Sequence, residues 1–201
     1  MVEHDASYYE AFGEFMHRYS RVETLLHFLF RYCLGAGMDK GRKLASAIAG
    51  GMRSSDLMSL IRRVAKVRDL PEATQIEIDA IFSHLSAISL LRDYLVHRGT
   101  TAAESGLISE NTFTAKVLED VQVLKLNLDD IKKATLDCKV MFLRLTAICY
   151  PEAKSLKLQI TPKLLVRPWS YKPRQPDTPY RLPRKGAQSR KRQPPASHGS
   201  R

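Results

Sequence analysis

The sequence predicts an all-α protein, an antiparallel helical bundle of about five helices followed by a disordered basic tail. Apolar residues recur at three- and four-residue steps through several long segments, which is typical of helices that bury one face. Pro71 is the only proline among the first 150 residues, so little interrupts those helices. Nine of the ten prolines lie in residues 151–201, where the chain cannot hold a helix for long.

The first three helices are predicted from apolar faces and from the residues that start or stop a helix. Residues 7–34 form the first helix, and Gly35-Ala36-Gly37 ends it. Asp39 is suited to cap a short second helix. Ser54 or Ser55 caps a third helix, whose apolar positions are Leu57, Leu60, Ile61, Val64 and Val67.

The second half of the bundle contains two more helices and an irregular stretch between them. A proline suits the first turn of the fourth helix, residues 71–98, and Gly99 ends it. Residues 100–111 are predicted as a polar loop, and the Val- and Thr-rich stretch 113–126 favours a small β-hairpin before the last helix. Asn127 caps that last helix, which runs to about residue 148.

The net charge of +11 belongs entirely to the last quarter of the chain. Residues 151–201 hold 13 basic and 2 acidic residues (13 − 2 = +11), whereas residues 1–150 hold 19 of each sign. We therefore divide the chain into a helical domain at 1–150 and a Pro-rich basic disordered tail at 151–201. The basic residues of the tail are either solvated or able to track a nucleic-acid backbone; they include Lys172, Arg174, Arg184, Lys185, Arg190, Lys191 and Arg192.

The remaining composition excludes several classes of protein. Cys33, Cys138 and Cys149 are widely spaced among apolar neighbours, which predicts buried, reduced thiols in a cytoplasmic protein. The N-terminus lacks a signal-peptide pattern, and no apolar run approaches the ~18–20 residues that cross a bilayer, so no membrane partner is expected. The chain contains no CxxC, HExxH, Walker-type loop or GxGxxG, so we expect neither a cofactor nor a metal.

Two charged residues stand where the helical pattern calls for apolar ones. Arg92 lies at the centre of the apolar stripe of the fourth helix, and Glu23 lies within that of the first. The apolar stripe of the fourth helix consists of Ile78, Ile81, Phe82, Leu85, Ile88, Leu95 and Val96. Burying either charge alone would cost several kcal/mol. We therefore expect the two stripes to face each other, with Glu23 and Arg92 forming a supporting ion pair. The alternative is that Arg92 points into a polar cleft at an interface.

Asp93 and His97 accompany Arg92 at the end of the same helix. They are four residues apart, so their side chains can touch. An arginine can hold a phosphoryl oxygen in bidentate fashion while a histidine moves a proton, so the three residues suit phosphate chemistry. The plain alternative for a histidine near a helix end is an ordinary cap.

The segment Arg92-Asp93-Tyr94-Leu95-Val96-His97 resembles the Arg-x(4–6)-His signature of HEPN domains, all-helical modules of many prokaryotic ribonuclease toxins and defence proteins. In that family a polar residue follows the arginine near the end of a long helix, and two protomers pair so that their motifs line one cleft. The resemblance covers residues 7–150. Asp93 departs from the pattern, because asparagine is the commoner residue at that position.

The resemblance implies a catalytic site and a set of partners. Arg92, Asp93 and His97 would cleave RNA without a metal, leaving a 2′,3′-cyclic phosphate. His97 would act as general acid or base, Arg92 would stabilise the phosphorane, and Asp93 would orient His97. The implied partners are RNA, a second copy of the chain and a nucleotidyltransferase-like antitoxin protein.

The spacing alone is not specific, because two other pairs in this chain satisfy it. Arg21 with His27 lies off the apolar stripe of the first helix, and Arg192 with His198 lies in the predicted tail. Three functions therefore compete: an endoribonuclease centred on Arg92 and His97, a non-catalytic dimerisation or interaction module, and nucleic-acid binding through the tail.

Overall fold

The computed structural model describes residues 6–35, 38–98, 100–103, 106–112, 114–150 and 166–179. It confirms the predicted all-α class, with a small antiparallel sheet before the last helix. The five helices are α1 Ala6–Leu34, α2 Met38–Ala49, α3 Ser54–Val67, α4 Glu72–His97 and α5 Leu128–Cys149. The three strands are β1 Thr101–Ala103, β2 Gly106–Glu110 and β3 Val123–Leu126.

The ends of the helices show which local signals act as expected. Asn127 caps α5 through a reciprocal capping box with Asp130. Gly35 adopts a φ of 62° after α1, a conformation that glycine adopts without strain. Ser54 does not cap α3, because the N-cap is Arg53 and makes no side-chain cap bond. Residues 36, 37 and 99, which the sequence assigned to helix ends, lie outside the described residues.

The sheet begins earlier in the chain than the sequence predicted. The expected polar loop at 100–111 contains β1 and β2, and β2 then pairs antiparallel with β3. Ser109 in β2 is buried because its hydroxyl donates to the carbonyl oxygen of Tyr94 on α4. The buried positions of β2 are Leu107 and Ser109. Because one of these two is a polar serine, the sequence lacks the alternation of apolar and polar residues that predicts a strand.

The core lies where α1 packs against α3 and α5, with α4 completing the bundle. The predicted apolar stripe of α4 is buried at Ile78, Ile81, Phe82, Leu85, Ile88 and Leu95, whereas Val96 is exposed. Full burial of one such side chain contributes about 1.5–3 kcal/mol. Among the described residues, no helix is long and apolar enough to span a membrane.

The three cysteines are free thiols inside the bundle. Cys33 and Cys138 are buried and Cys149 is half-buried, in agreement with the prediction that the cysteines pack among apolar neighbours. Burial raises the pKa of Cys33 to about 11 and the pKa values of Cys138 and Cys149 to about 12. At neutral pH all three are therefore unreactive thiols rather than thiolates.

Part of the predicted tail belongs to the folded body. Residues 166–179 are extended, as expected, but the prediction of disorder is wrong for them, because they pack against α4 and α5. Trp169 stacks on the ring of His84, with ring centroids 4.4 Å apart and planes 6° from parallel. Tyr171 is 2% exposed and joins the core. Residues 151–165 and 180–201 lie outside the described residues.

Asp137 on α5 is the anchor for this segment. Its carboxylate contacts Nε2 of His84 at 2.8 Å and accepts the backbone N–H groups of Ser170 at 2.9 Å and Tyr171 at 2.7 Å. Burial disfavours the charged carboxylate, but the His84 contact and the two backbone donors outweigh it and lower the pKa of Asp137. The carboxylate thus stays ionised inside the protein because three donors surround it.

Two further contacts extend the attachment toward the sheet. Arg174 pairs with Asp130 at 2.9 Å. Asp177 exchanges both backbone hydrogen bonds with Val123 of β3, at 2.8 and 2.9 Å. The segment therefore runs from the middle of α5 to the free edge of β3.

We expect Tyr171→Ala to lower the free energy of unfolding by about 3 kcal/mol, because it empties a buried aromatic site. Urea denaturation measures the change. Lys172→Ala is the matched control, because Lys172 is the exposed neighbour and its truncation should change stability by less than about 0.5 kcal/mol. Equal stability of the two variants would show that residues 166–179 are not part of the folded body.

Candidate active site

An open cavity of about 770 Å³ lies between α1, α3 and α4. All four site residues predicted within the helical domain, Glu23, Arg92, Asp93 and His97, line it. The other lining residues are Tyr19, Met52, Arg53, Ser54, Ser55, Met58, Ser86, Ser89 and Leu90. A volume in this range suits a small ligand or a segment of a polymer.

Arg92 is the centre of the hydrogen bonding in this cavity. Its Nη1 donates to Oδ1 of Asp93 at 2.9 Å and to Nε2 of His97 at 2.9 Å. A guanidinium only donates, so His97 Nε2 is the acceptor and the ring carries its proton on Nδ1. The side chain of Arg92 is 30% exposed, but its Nε atom is buried and has no hydrogen-bond partner among the described residues.

The predicted direct contact between Asp93 and His97 is not formed in the structure, because Arg92 binds both side chains. Asp93 and His97 are exposed and Arg92 is half-buried, so the group lies at the mouth of the cavity. Asp93 therefore acts on His97 only through Arg92.

The predicted ion pair between Glu23 and Arg92 is wrong. Glu23 accepts a hydrogen bond from Oγ of Ser54 at 2.5 Å, and Arg92 pairs with Asp93 instead. The two residues do line the same cavity, as expected from stripes that face each other. Ser54 reaches Glu23 because the first turn of α3 packs beside α1. Glu23 does not need Arg92 as a partner, because one strong donor is enough for a half-buried carboxylate whose other oxygen faces solvent.

Tyr19 and Ser89 form a fixed polar wall of the cavity. Ser89 Oγ donates to the carbonyl oxygen of Leu85 at 2.8 Å, so it accepts the proton of the Tyr19 hydroxyl, also at 2.8 Å. Burial raises the pKa of Tyr19 to about 12, so Tyr19 is a neutral phenol at physiological pH. This pair joins α1 to α4 and holds the two helices that carry Glu23 and Arg92.

The cavity offers the elements of phosphate chemistry. Arg53 and Arg92 supply positive charge, and His97 supplies an imidazole ring that can accept or donate a proton. The carboxylates of Glu23 and Asp93 reduce the net positive charge of the cavity. Asp93 already forms an ion pair with Nη1 of Arg92. An anion that binds here must displace or share that contact.

Sequence reasoning missed Arg53, Ser54 and Tyr19 as members of the site. It also missed the buried pair of His84 and Asp137, which are 53 positions apart in the chain. Both lie on the inward faces of their helices, which is the same anomaly that singled out Arg92. A search for every polar residue on an apolar face would have found them.

The tail residues named from the sequence are only partly described. Lys172 is exposed, and Arg174 forms an ion pair with Asp130. Arg184, Lys185, Arg190, Lys191 and Arg192 lie outside the described residues. In the part of the chain that the structure describes, no group of three or more His, Cys, Asp or Glu side chains could hold a metal ion.

A double-mutant cycle tests the corrected contact of Glu23. We expect Glu23→Ala and Ser54→Ala to be coupled by about 1 kcal/mol in unfolding free energy, because each removes the same hydrogen bond. Glu23→Ala and Ser55→Ala should be additive, since Ser55 lines the cavity without a bond to Glu23. Coupling of Glu23 to Arg92 in place of Ser54 would restore the ion pair that the sequence predicted.

No protein-family model matches the chain, and neither the curated proteins nor the solved structures give a significant match. We therefore infer the function from the residues that line the cavity.

Proposed function

We propose that this protein is a HEPN-like, metal-independent endoribonuclease. The observation that carries the proposal is that Arg92, Asp93 and His97 line one open cavity at the C-terminal end of α4. The resemblance to HEPN domains associates these residue types at this position with cleavage of RNA. The roles of toxin or defence protein and the nucleotidyltransferase-like antitoxin partner remain predictions from that resemblance.

The reaction is an attack of the RNA on its own backbone. His97 takes the proton of a ribose 2′-hydroxyl as the new bond from O2′ to phosphorus forms. The bond from phosphorus to O5′ then breaks, the protonated imidazole of His97 returns its proton to O5′, and the products are a 2′,3′-cyclic phosphate and a 5′-hydroxyl end. Arg92 stabilises the extra negative charge of the phosphorane.

The hydrogen bonds of Arg92 give this reaction a binding-dependent trigger. In the free protein, Nη1 of Arg92 donates a hydrogen bond to Nε2 of His97, so the lone pair of that nitrogen is not available to accept a proton. A phosphate that draws Arg92 toward itself frees His97 Nε2 to act as the base. Asp93 holds Arg92 in place until the substrate arrives.

A second copy of the chain would complete the site. Leu90 is 45% exposed and Met52 is 38% exposed, and both line the same cavity as Arg92. Apolar side chains exposed beside a polar cavity favour an interface. A homodimer joined there would bring two His97 side chains into one groove.

The second candidate is a non-catalytic dimerisation module. The contacts of Arg92 with Asp93 and His97 favour it, because they give Nη1 of Arg92 two protein partners without any ligand. On this alternative the cavity is closed by the partner, and the polar residues fix only the register of the helices.

We expect His97→Ala to reduce cleavage of RNA by about 10²–10³-fold, because it removes the proton-transfer group. The assay uses purified protein in EDTA and identifies the 2′,3′-cyclic phosphate product. His27→Ala is the matched control, since Arg21 and His27 have the same kind of spacing but His27 does not line the cavity. Its activity should equal that of the wild type.

A substrate with a single 2′-deoxyribose at the cleaved position should resist the wild-type protein. Equal cleavage by wild type and His97→Ala, or cleavage of the 2′-deoxy substrate, would contradict the proposal. Dimerisation without cleavage would favour the interaction module.

A further inference from the structure

The neutral charge of the first 150 residues hides a strong segregation of charge. Residues 38–68, which span α2 and α3, hold 8 basic and 2 acidic residues, a net charge of +6. The rest of residues 1–150 holds 11 basic and 17 acidic residues, a net charge of −6. Helices α2 and α3 are therefore a basic region within a balanced domain.

The positive charge on α3 forms one stripe that starts at the cavity. Ser55 lines the cavity, and Ser59, Arg62 and Lys66 follow it at steps of four, three and four residues, so they share one face of the helix. Arg63 lies beside them. We name Ser55, Ser59, Arg62, Arg63 and Lys66 the α3 stripe; every one of its residues is exposed.

The cations of the α3 stripe are poorly neutralised. Arg62 pairs with Asp79 at 2.6 Å, but Arg63 and Lys66 take part in no ion pair among the described residues. Outside the α3 stripe some cations pair with a carboxylate, namely Arg18, Lys133, Lys139 and Arg144. Other described cations, such as Lys116 and Lys132, are unpaired but do not form a stripe that leads to the cavity. Like charges three and four residues apart also repel each other along a helix, so folding alone does not favour this arrangement.

Arg53 connects the α3 stripe to the cavity. It stands directly before the first turn of α3 and lines the cavity together with Arg92. From Arg53 to Lys66 the helix extends about 20 Å, at 1.5 Å per residue. A stacked strand with a rise of about 3.4 Å per nucleotide would place roughly six phosphates along that length.

We propose that the α3 stripe and Arg53 bind the sugar–phosphate backbone of RNA on one side of the cleavage point. This inference rests on the proposed function and names the surface that holds the substrate. RNA is favoured over a membrane because the stripe leads into a cavity that holds Arg92 and His97, which a flat lipid surface could not reach. Hydroxyl groups of Ser55 and Ser59 add donors for phosphate and ribose oxygens.

The test compares RNA affinity at several salt concentrations in the full-length His97→Ala protein, which prevents cleavage. Arg63→Ala with Lys66→Ala should weaken binding of a fluorescent single-stranded RNA and reduce the slope of log K against log salt by about 1.4, or 0.7 for each lost phosphate contact. Lys116→Ala with Lys132→Ala is the matched control, because both lysines are exposed and lie outside the stripe. It should leave affinity and slope unchanged. All variants keep the basic tail, so its contribution cancels.

An unchanged slope in the stripe variant, or an equal loss in the control, would overturn the proposal. Binding of the wild type to vesicles of phosphatidylserine and phosphatidylcholine, lost in the stripe variant, with no binding of RNA, would also overturn it. Failure of the endoribonuclease is a separate result: the stripe variant would still lose RNA affinity, while wild type and His97→Ala would cleave RNA equally.

Discussion

The architecture depends on satisfying the polar groups that α4 turns toward its neighbours. A polar group that is buried without a partner costs about 1–3 kcal/mol in desolvation, so the fold pairs most of these groups. His84 meets Asp137, and the carboxylate in turn binds the chain at Ser170 and Tyr171. Further along α4, Ser89 accepts a hydrogen bond from the hydroxyl of Tyr19. Arg92, in the next turn of α4, lines the cavity. The same helix therefore anchors the returning chain and carries the candidate site.

The cavity combines groups that bind an anion with groups that restrain it. Arg92 holds both Asp93 and His97 in the free protein, so its charge is engaged before any ligand arrives. This arrangement makes a phosphate compete for the guanidinium, and the competition releases the histidine. Under the proposed function, the carboxylate of Asp93, where HEPN domains more commonly have asparagine, would make activity depend on whether substrate is bound.

The fold was largely predictable because long apolar faces dominate it. The boundaries of α1, α4 and α5 follow from periodicity and from single residues such as Asn127. The sheet was misplaced, because Ser109 is buried by a contact with Tyr94 that no local pattern reveals. The packing of Trp169 and Tyr171 was also missed, because the prolines and basic residues around them indicate disorder. The burial of these two aromatic residues depends on Asp137, which lies more than thirty residues earlier in the chain. At the site, the grouping of Glu23 with Arg92 followed from facing stripes. The partner of Glu23, however, depended on where α3 begins, and Arg92 binds residues of its own helix.

The most direct test of the central claim is the imidazole nitrogen NMR signal of His97 with and without a non-cleavable 2′-deoxy-substituted RNA. In the free protein we expect the signals of a ring that carries its proton on Nδ1, because Arg92 donates to Nε2. Added RNA should shift the His97 signals and leave those of His27 unchanged, since only His97 lines the cavity. Signals of His97 that stay unchanged at saturating RNA would contradict the claim that this cavity binds the substrate.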